Sequence, residues 1–296
     1  MFRKVKDVNY HRERLELDDG DFLDLDWLIK GSKKLAIISH GLEGNSDRHY
    51  VKGMAKYFYT RGYDVLAWNC RSCGGDMNRL LRLYHHAASE DLAAVVEHAV
   101  KREYQSIILI GFSMGGSLSL KYIGEQVKVN ESVSACTAFS VPCDLASSAA
   151  LLNTASMKFY RRRFLKKLQR KLEQKAVQFP RSISLEALQD IDDFKTFDNL
   201  YTAPLHGFKD ADDFYETASA NRYLPAVNIP TLLVNAANDP FLSPLCYPVD
   251  VLKMHRWVYL EMPRYGGHVG FPLFGREENW MEQRAFEFAE AVLKGK

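Results

Sequence analysis

The first thirty residues alternate. Leu15 and Leu17, then Phe22, Leu23, Leu25 and Trp27, fall mostly on one face, with Asp18-Asp19-Gly20 between them. This is the period-two pattern of an antiparallel hairpin. The pattern then changes to continuous apolar runs separated by segments of helical spacing. "KKLAIISHG" (33–41), "YDVLAWNC" (63–70), "SIILIG" (106–111) and "SVSACTAFS" (132–140) read as strands buried on both faces. Between them, "HYVKGMAKYFYTRG" (49–62), "ASEDLAAVVEHAVKRE" (88–103) and "MGGSLSLKYIGEQ" (114–126) read as helices. The second has the form of a capping box, with Ser89 as the N-cap.

Strand and helix thus alternate from about residue 35 to 140, which predicts an α/β fold with a doubly wound, mostly parallel sheet flanked by helices. Residues 143–224 are polar, irregular and helical in spacing. The alternation resumes with strand "TLLVNAAND" (231–239), a helix-like stretch at 244–254, strand "RWVYLEMP" (256–263) and a last helix at 278–294. The expected organisation is a core of residues 1–142 and 225–296, with a helical cap inserted at 143–224.

Composition narrows the class. The chain has 296 residues, 47% of them hydrophobic, which supports a large core. A formal charge of +2 gives no global attraction for nucleic acid, and none is expected as a partner. The charged first twenty residues lack the apolar stretch of a secretory signal, and no uncharged run is long enough to span a bilayer, so a cytoplasmic location is expected. Cys70 and Cys73 form a C-x-x-C without a second pair or zinc-like histidine spacing, and all five cysteines read as reduced structural thiols.

The chemistry lies in Gly111-Phe112-Ser113-Met114-Gly115, a Gly-x-Ser-x-Gly between a buried strand and a helix. Such a turn lifts the serine Oγ over the sheet edge and aims a helix N-terminus at it. A serine nucleophile requires a histidine base oriented by a carboxylate, in the chain order Ser, Asp or Glu, His. Asp239 follows the strand at 231, and His268 follows the last strand in a glycine-rich loop. For the oxyanion, the donors expected are the backbone N–H groups of Met114 and Leu42, the latter in "SHGLEGNSDRHY" after the first parallel strand. His40 is read as structural, its ring bonding loop backbone. Neither a metal nor an organic cofactor is implied.

"HGLEGNSDRHY", "NCRSCGG", "GFSMGGSLSLKY" and "NAANDPFLSP" with "GGHVGF" resemble the α/β-hydrolase superfamily, and "TAPLHGFKDADDFYETAS" (202–219) resembles its YheT-like branch. The resemblance implies a serine hydrolase of carboxylic esters, with its triad on Ser113, Asp239 and His268 and a small ester or lipid as substrate. Acyl transfer by the same triad, or silent ligand binding on this fold, are the alternatives. His206 sits in the YheT-like segment as a pocket-lining or packing residue. Residues 158–175 hold nine Lys or Arg and one Glu. With Tyr160, Phe164, Leu165, Leu168 and Leu172 at helical spacing, this stretch reads as a cap helix with a solvated basic face. Its second reading is a weak contact with anionic membrane.

Overall fold

The computed structural model describes residues 3–295 and contains an eight-stranded sheet. The strands are β1 (His11–Glu16), β2 (Phe22–Leu28), β3 (Lys34–Ser39), β4 (Asp64–Asn69), β5 (Ser106–Phe112), β6 (Val133–Phe139), β7 (Thr231–Val234) and β8 (Val258–Glu261). They lie in the order β1-β2-β4-β3-β5-β6-β7-β8. β1 and β2 form an antiparallel hairpin, β2 pairs antiparallel with β4, and the remaining pairs are parallel.

The apolar runs are continuous because both faces are covered. Leu35, Ile37, Ile107 and Leu109 enter the core shared with α2 (Ser89–Val100) and α3 (Met114–Glu125), which also follow α1 (His49–Thr60) in the chain. Their neighbours Ala36, Ile38, Ile108, Ile110 and Phe112 enter a second core with α1 and with the C-terminal helix at Trp280–Lys294. Each of these larger side chains contributes roughly 1.5–3 kcal/mol through its burial.

Two local readings are corrected, and the hairpin carries more than its apolar pattern indicates. The polar face of β2 is buried as well as the apolar one: Asp24 and Asp26 lie directly opposite Arg14 and Arg12 and pair with them at 3.0 and 2.8 Å. Ser89 is the first residue of α2, not its cap. Ala88 is the N-cap, and the Ser89 hydroxyl is engaged by Glu125 and by Lys121 Nζ on α3. The helix expected at 244–254 is reduced to a 3-10 turn (Pro244–Cys246) and one α-turn, because Pro248 falls in its interior and interrupts it.

Between β6 and β7 the chain forms α4 (Leu145–Leu152), α5 (Lys158–Gln178), α6 (Phe194–Phe197), a π-turn (Asp198–Thr202), α7 (Ala203–His206) and α8 (Ala211–Ala218). The later helices are α9 (Val249–Leu252) and α10 (Trp280–Lys294). The block from α4 to α8 has its own apolar cluster, with Leu165, Leu172, Leu188, Phe194, Phe197 and Phe214 among its members, joined by Leu83 and Ala87 from the loop before α2.

That loop begins in a buried ionic knot. Arg71 bonds Asp91 of α2 (3.0 Å), Asp21 at the hairpin turn (2.9 Å) and Asp19 (2.8 Å), and Asp21 also accepts from Asn78 (2.6 Å). Removing the one cation strands buried carboxylates. Arg71→Met is expected to cost about 3–5 kcal/mol in urea unfolding; an unchanged midpoint would show that the knot contributes nothing net.

Candidate active site

β5 runs straight into α3 through Ser113, which holds φ 53° and ψ −117°, a backbone state that L residues avoid. The turn survives because its flanks have no side chains. A Cβ on Gly111 would overlap the Gly115 carbonyl, and one on Gly115 would overlap the carbonyls of Ser39 and His40. Ser113 N–H donates to Phe139 O at 2.8 Å, tying the turn to β6.

The structure brings the three expected side chains together from separate strand ends. His268 Nε2 lies 3.0 Å from Ser113 Oγ, and His268 Nδ1 lies 2.9 and 3.1 Å from the two oxygens of Asp239. A carboxylate only accepts, so Nδ1 carries the proton and the Nε2 lone pair faces the serine. Asp239 is buried and also accepts from Phe241 N–H at 3.0 Å, while Ser113 and His268 stay partly open to solvent. The Phe241 ring packs on the imidazole, centroids 4.3 Å apart, and is itself met by Tyr160 and Phe164 of α5.

The loop after β3 closes over the serine. Gly41 packs so tightly against the elbow that its Cβ would stand 3.2 Å from Ser113 Cβ, and Gly41 N–H donates to Tyr50 Oη at 3.1 Å. Leu42 touches both the sheet core and the apolar cluster of the inserted block. Among the described residues, neither the Leu42 nor the Met114 N–H has an acceptor.

The other sequence candidates lie elsewhere. His40 is buried, with Nδ1 on Gly41 O (2.8 Å) and Nε2 accepting from Cys70 N–H (3.1 Å), so both ring nitrogens serve loop backbone. His206 packs on His85 at 4.3 Å and bonds Thr202 O and the Leu83 backbone. Cys70 and Cys73 are free, buried and pushed up by burial, and Lys171 Nζ donates to Cys73 Sγ at 3.1 Å. Among the described residues no group of His, Cys, Asp or Glu is arranged to hold a metal ion.

Four positioning residues went unassigned in the sequence reading. Asn238 Oδ1 accepts from both Gly266 and Gly267 N–H at 2.9 Å, pinning the loop that presents His268. Ser140 Oγ accepts from Val269 N–H at 3.0 Å just beyond it. Glu43, at φ 55°, fixes the loop carrying Leu42. Its carboxylate accepts from Tyr84 Oη (2.6 Å) and pairs with Lys171 of α5 (2.8 Å). Phe241 is the fourth. An Asn adjacent to the acid and a Glu in a glycine-flanked loop were the visible signals.

A serine held on a strand-to-helix turn at the C-terminal edge of a mostly parallel sheet defines an α/β-hydrolase. A profile of the family described as serine aminopeptidase, S33, matches residues 30–245, and the chain belongs to that family. Within the superfamily it falls in the YheT-like branch. It is 28% identical to YheT of Escherichia coli (strain K12), over 100% of this chain and 89% of that protein. It is 29% identical to Phospholipase ABHD3 of Mus musculus, over 97% of this chain and 73% of that protein. In fold it is similar to an esterase of Pyrococcus furiosus, with a TM-score of 0.65 at 19% identity, covering 98% of this chain and 96% of that one.

Burial pushes the His40 ring down to about 4 from its ordinary 6.5. An unfolded chain takes up this proton near pH 6.5, whereas the folded one resists it. The stability is therefore fully present above pH 6.5 and is lost as pH falls toward 4. Wild type is expected to lose about 2 kcal/mol more than His40→Gln between pH 7 and pH 5, read from urea unfolding at each pH. Parallel pH profiles would mean that the ring titrates normally.

Proposed function

We propose that this chain is a hydrolase of carboxylic esters, acting on small- to medium-chain acyl esters or lipids through an acyl-serine intermediate. The observation that carries this reading is the unbroken relay from Asp239 through His268 to Ser113, with bonds of 2.9 and 3.0 Å. Esterase and phospholipase names among its relatives support the same reaction class. The five buried free thiols suit a reducing compartment, in keeping with a cytoplasmic location.

Ser113 Oγ attacks the ester carbonyl while its proton passes to His268 Nε2. The imidazolium keeps its Nδ1 proton on Asp239, whose charge stabilises it. Negative charge on the former carbonyl oxygen is met by the N–H groups of Leu42 and Met114, at the positive end of α3. Collapse of this intermediate breaks the ester C–O bond, and His268 returns the proton to the leaving alcohol. Water then repeats the sequence on the acyl-serine, with His268 again taking and returning one proton. Residues 143–224 act as the cap. Their contribution beside the relay is aromatic, with Tyr160 and Phe164 extending the Phe241 wall, which favours an apolar group on the substrate.

Wild type should turn over p-nitrophenyl esters and be labelled by a fluorophosphonate probe. Ser113→Ala should lose the label and at least about a thousandfold in kcat/KM. Wild type that neither hydrolyses esters nor takes the label would refute the enzyme reading and leave ligand binding. A second measurement isolates loop positioning. Asn238→Ala should lower kcat by about 10–100-fold with little change in KM, because it loosens the His268 loop without touching substrate. A rise in KM at constant kcat would instead place Asn238 in substrate binding.

A further inference from the structure

We propose that the outward face of α5 docks on an anionic lipid surface, bringing the mouth of the active site against that surface. Between residues 158 and 175 this helix carries nine Lys or Arg against one Glu, on a chain whose net charge is only +2. Its two faces use these charges differently.

The inward face consumes its cations in bonds to the body of the protein. Arg161 donates to the Asn153 and Thr154 carbonyls beyond α4 (2.7 and 3.2 Å). Lys167 reaches Glu43 O (3.1 Å), Lys171 pairs with the Glu43 carboxylate, and Lys175 bonds the Asn78 and Leu80 carbonyls. Leu165 and Leu172 are buried beside them. The expected solvated basic face is therefore confined to the outward residues, because these inward cations replace water with backbone carbonyls and a carboxylate.

The outward face has no such use. Phe159, Arg162, Arg163, Lys166 and Arg170 recur at i, i+3, i+4, i+7 and i+11, which is one stripe of an α-helix. All five are exposed. Arg162 stands 4.0 Å from Asp192, and Arg163, Lys166 and Arg170 have no ion-pair partner among the described residues. The stripe therefore presents positive charge along about 12 Å of the helix, from Arg162 to Arg170.

Its first end is apolar. Phe159 is 70% exposed and Tyr160 41% exposed, side by side. Basic residues with a large apolar side chain at one end match the layered chemistry of a bilayer surface, with phosphates outside and acyl chains beneath. A nucleic-acid backbone would use the charges but offers no apolar layer for Phe159. The same end borders the chemistry: Tyr160 meets Phe241 at 4.9 Å, and Phe241 covers the His268 ring. Docking this stripe would set the site entrance at the lipid boundary. The use of the docking rests on the ester-hydrolase reading, but the binding itself does not, and a vesicle assay reads it without turnover.

The test is co-sedimentation of the full chain with phosphatidylglycerol-containing vesicles and with pure phosphatidylcholine vesicles, at low and high salt. Binding is expected to the anionic vesicles only and to weaken with salt. Replacing Arg163, Lys166 and Arg170 together by Gln should lower partitioning by about a hundredfold, and Phe159→Ser by about tenfold. Both variants should keep wild-type turnover of a soluble short ester, which also reports that they are folded. Failure of wild type to bind anionic vesicles at low salt would overturn the proposal, and this outcome needs no variant. Equal binding to a duplex DNA fragment, with Phe159→Ser without effect on the vesicles, would overturn it in favour of a general polyanion site. Loss of ester turnover in wild type with vesicle binding intact would strike the ester-hydrolase reading and leave the docking standing.

Discussion

The structure depends on one close approach, that of the start of α3 to the end of β3 at Gly115. Because nothing but hydrogen projects there, the helix can leave β5 through the strained Ser113 and still lie against the carbonyls of Ser39 and His40. That contact fixes the two strand ends side by side. It therefore determines where the serine oxygen stands relative to the Leu42 loop, and it points the helix N-terminus at the same place. Packing on both faces of the sheet holds the strain: Phe112 and Phe139 stack beneath the turn, and Met114 is fully buried.

From that point the site is built by loops that brace one another. Asn238 and Asp239 are neighbours in the chain yet serve different ends of the same task, one holding the backbone that carries His268 and the other holding its ring. Glu43 does for the Leu42 loop what Asn238 does for the histidine loop, with the difference that one of its partners, Lys171, belongs to the inserted helical block. The geometry near the serine is thereby linked to where α5 sits.

The parts legible in the sequence were those governed by local pattern. β3, β5 and β6 read correctly because strands covered on both faces leave uninterrupted apolar runs. Ser113, Asp239 and His268 were singled out because each lies beyond a strand end and chain order limited the choices, and the structure brings the three side chains together. What escaped depended on partners far away in sequence. Ser89 carries a good capping signal, but its hydroxyl meets Lys121 and Glu125, more than thirty residues on. The acids of β2 alternate as if facing water, and only the opposite arginines explain their burial. Ser140 gave no sign of its role, since a side chain that braces another loop obeys no periodicity.

The insertion of the helical block between β6 and β7 also sets an order of assembly. β1 to β6, with the elbow and its serine, are complete before residue 140, whereas Asp239 and His268 follow the last two strands, about a hundred residues or more further on. A ribosome-bound chain can thus present the sheet and the hydroxyl long before their partners from the last strand ends exist. The three side chains come together only once β7 and β8 have added to the growing edge beside β6. Under the proposed mechanism, a reagent that reads the activated serine would consequently count finished molecules and pass over nascent or truncated ones.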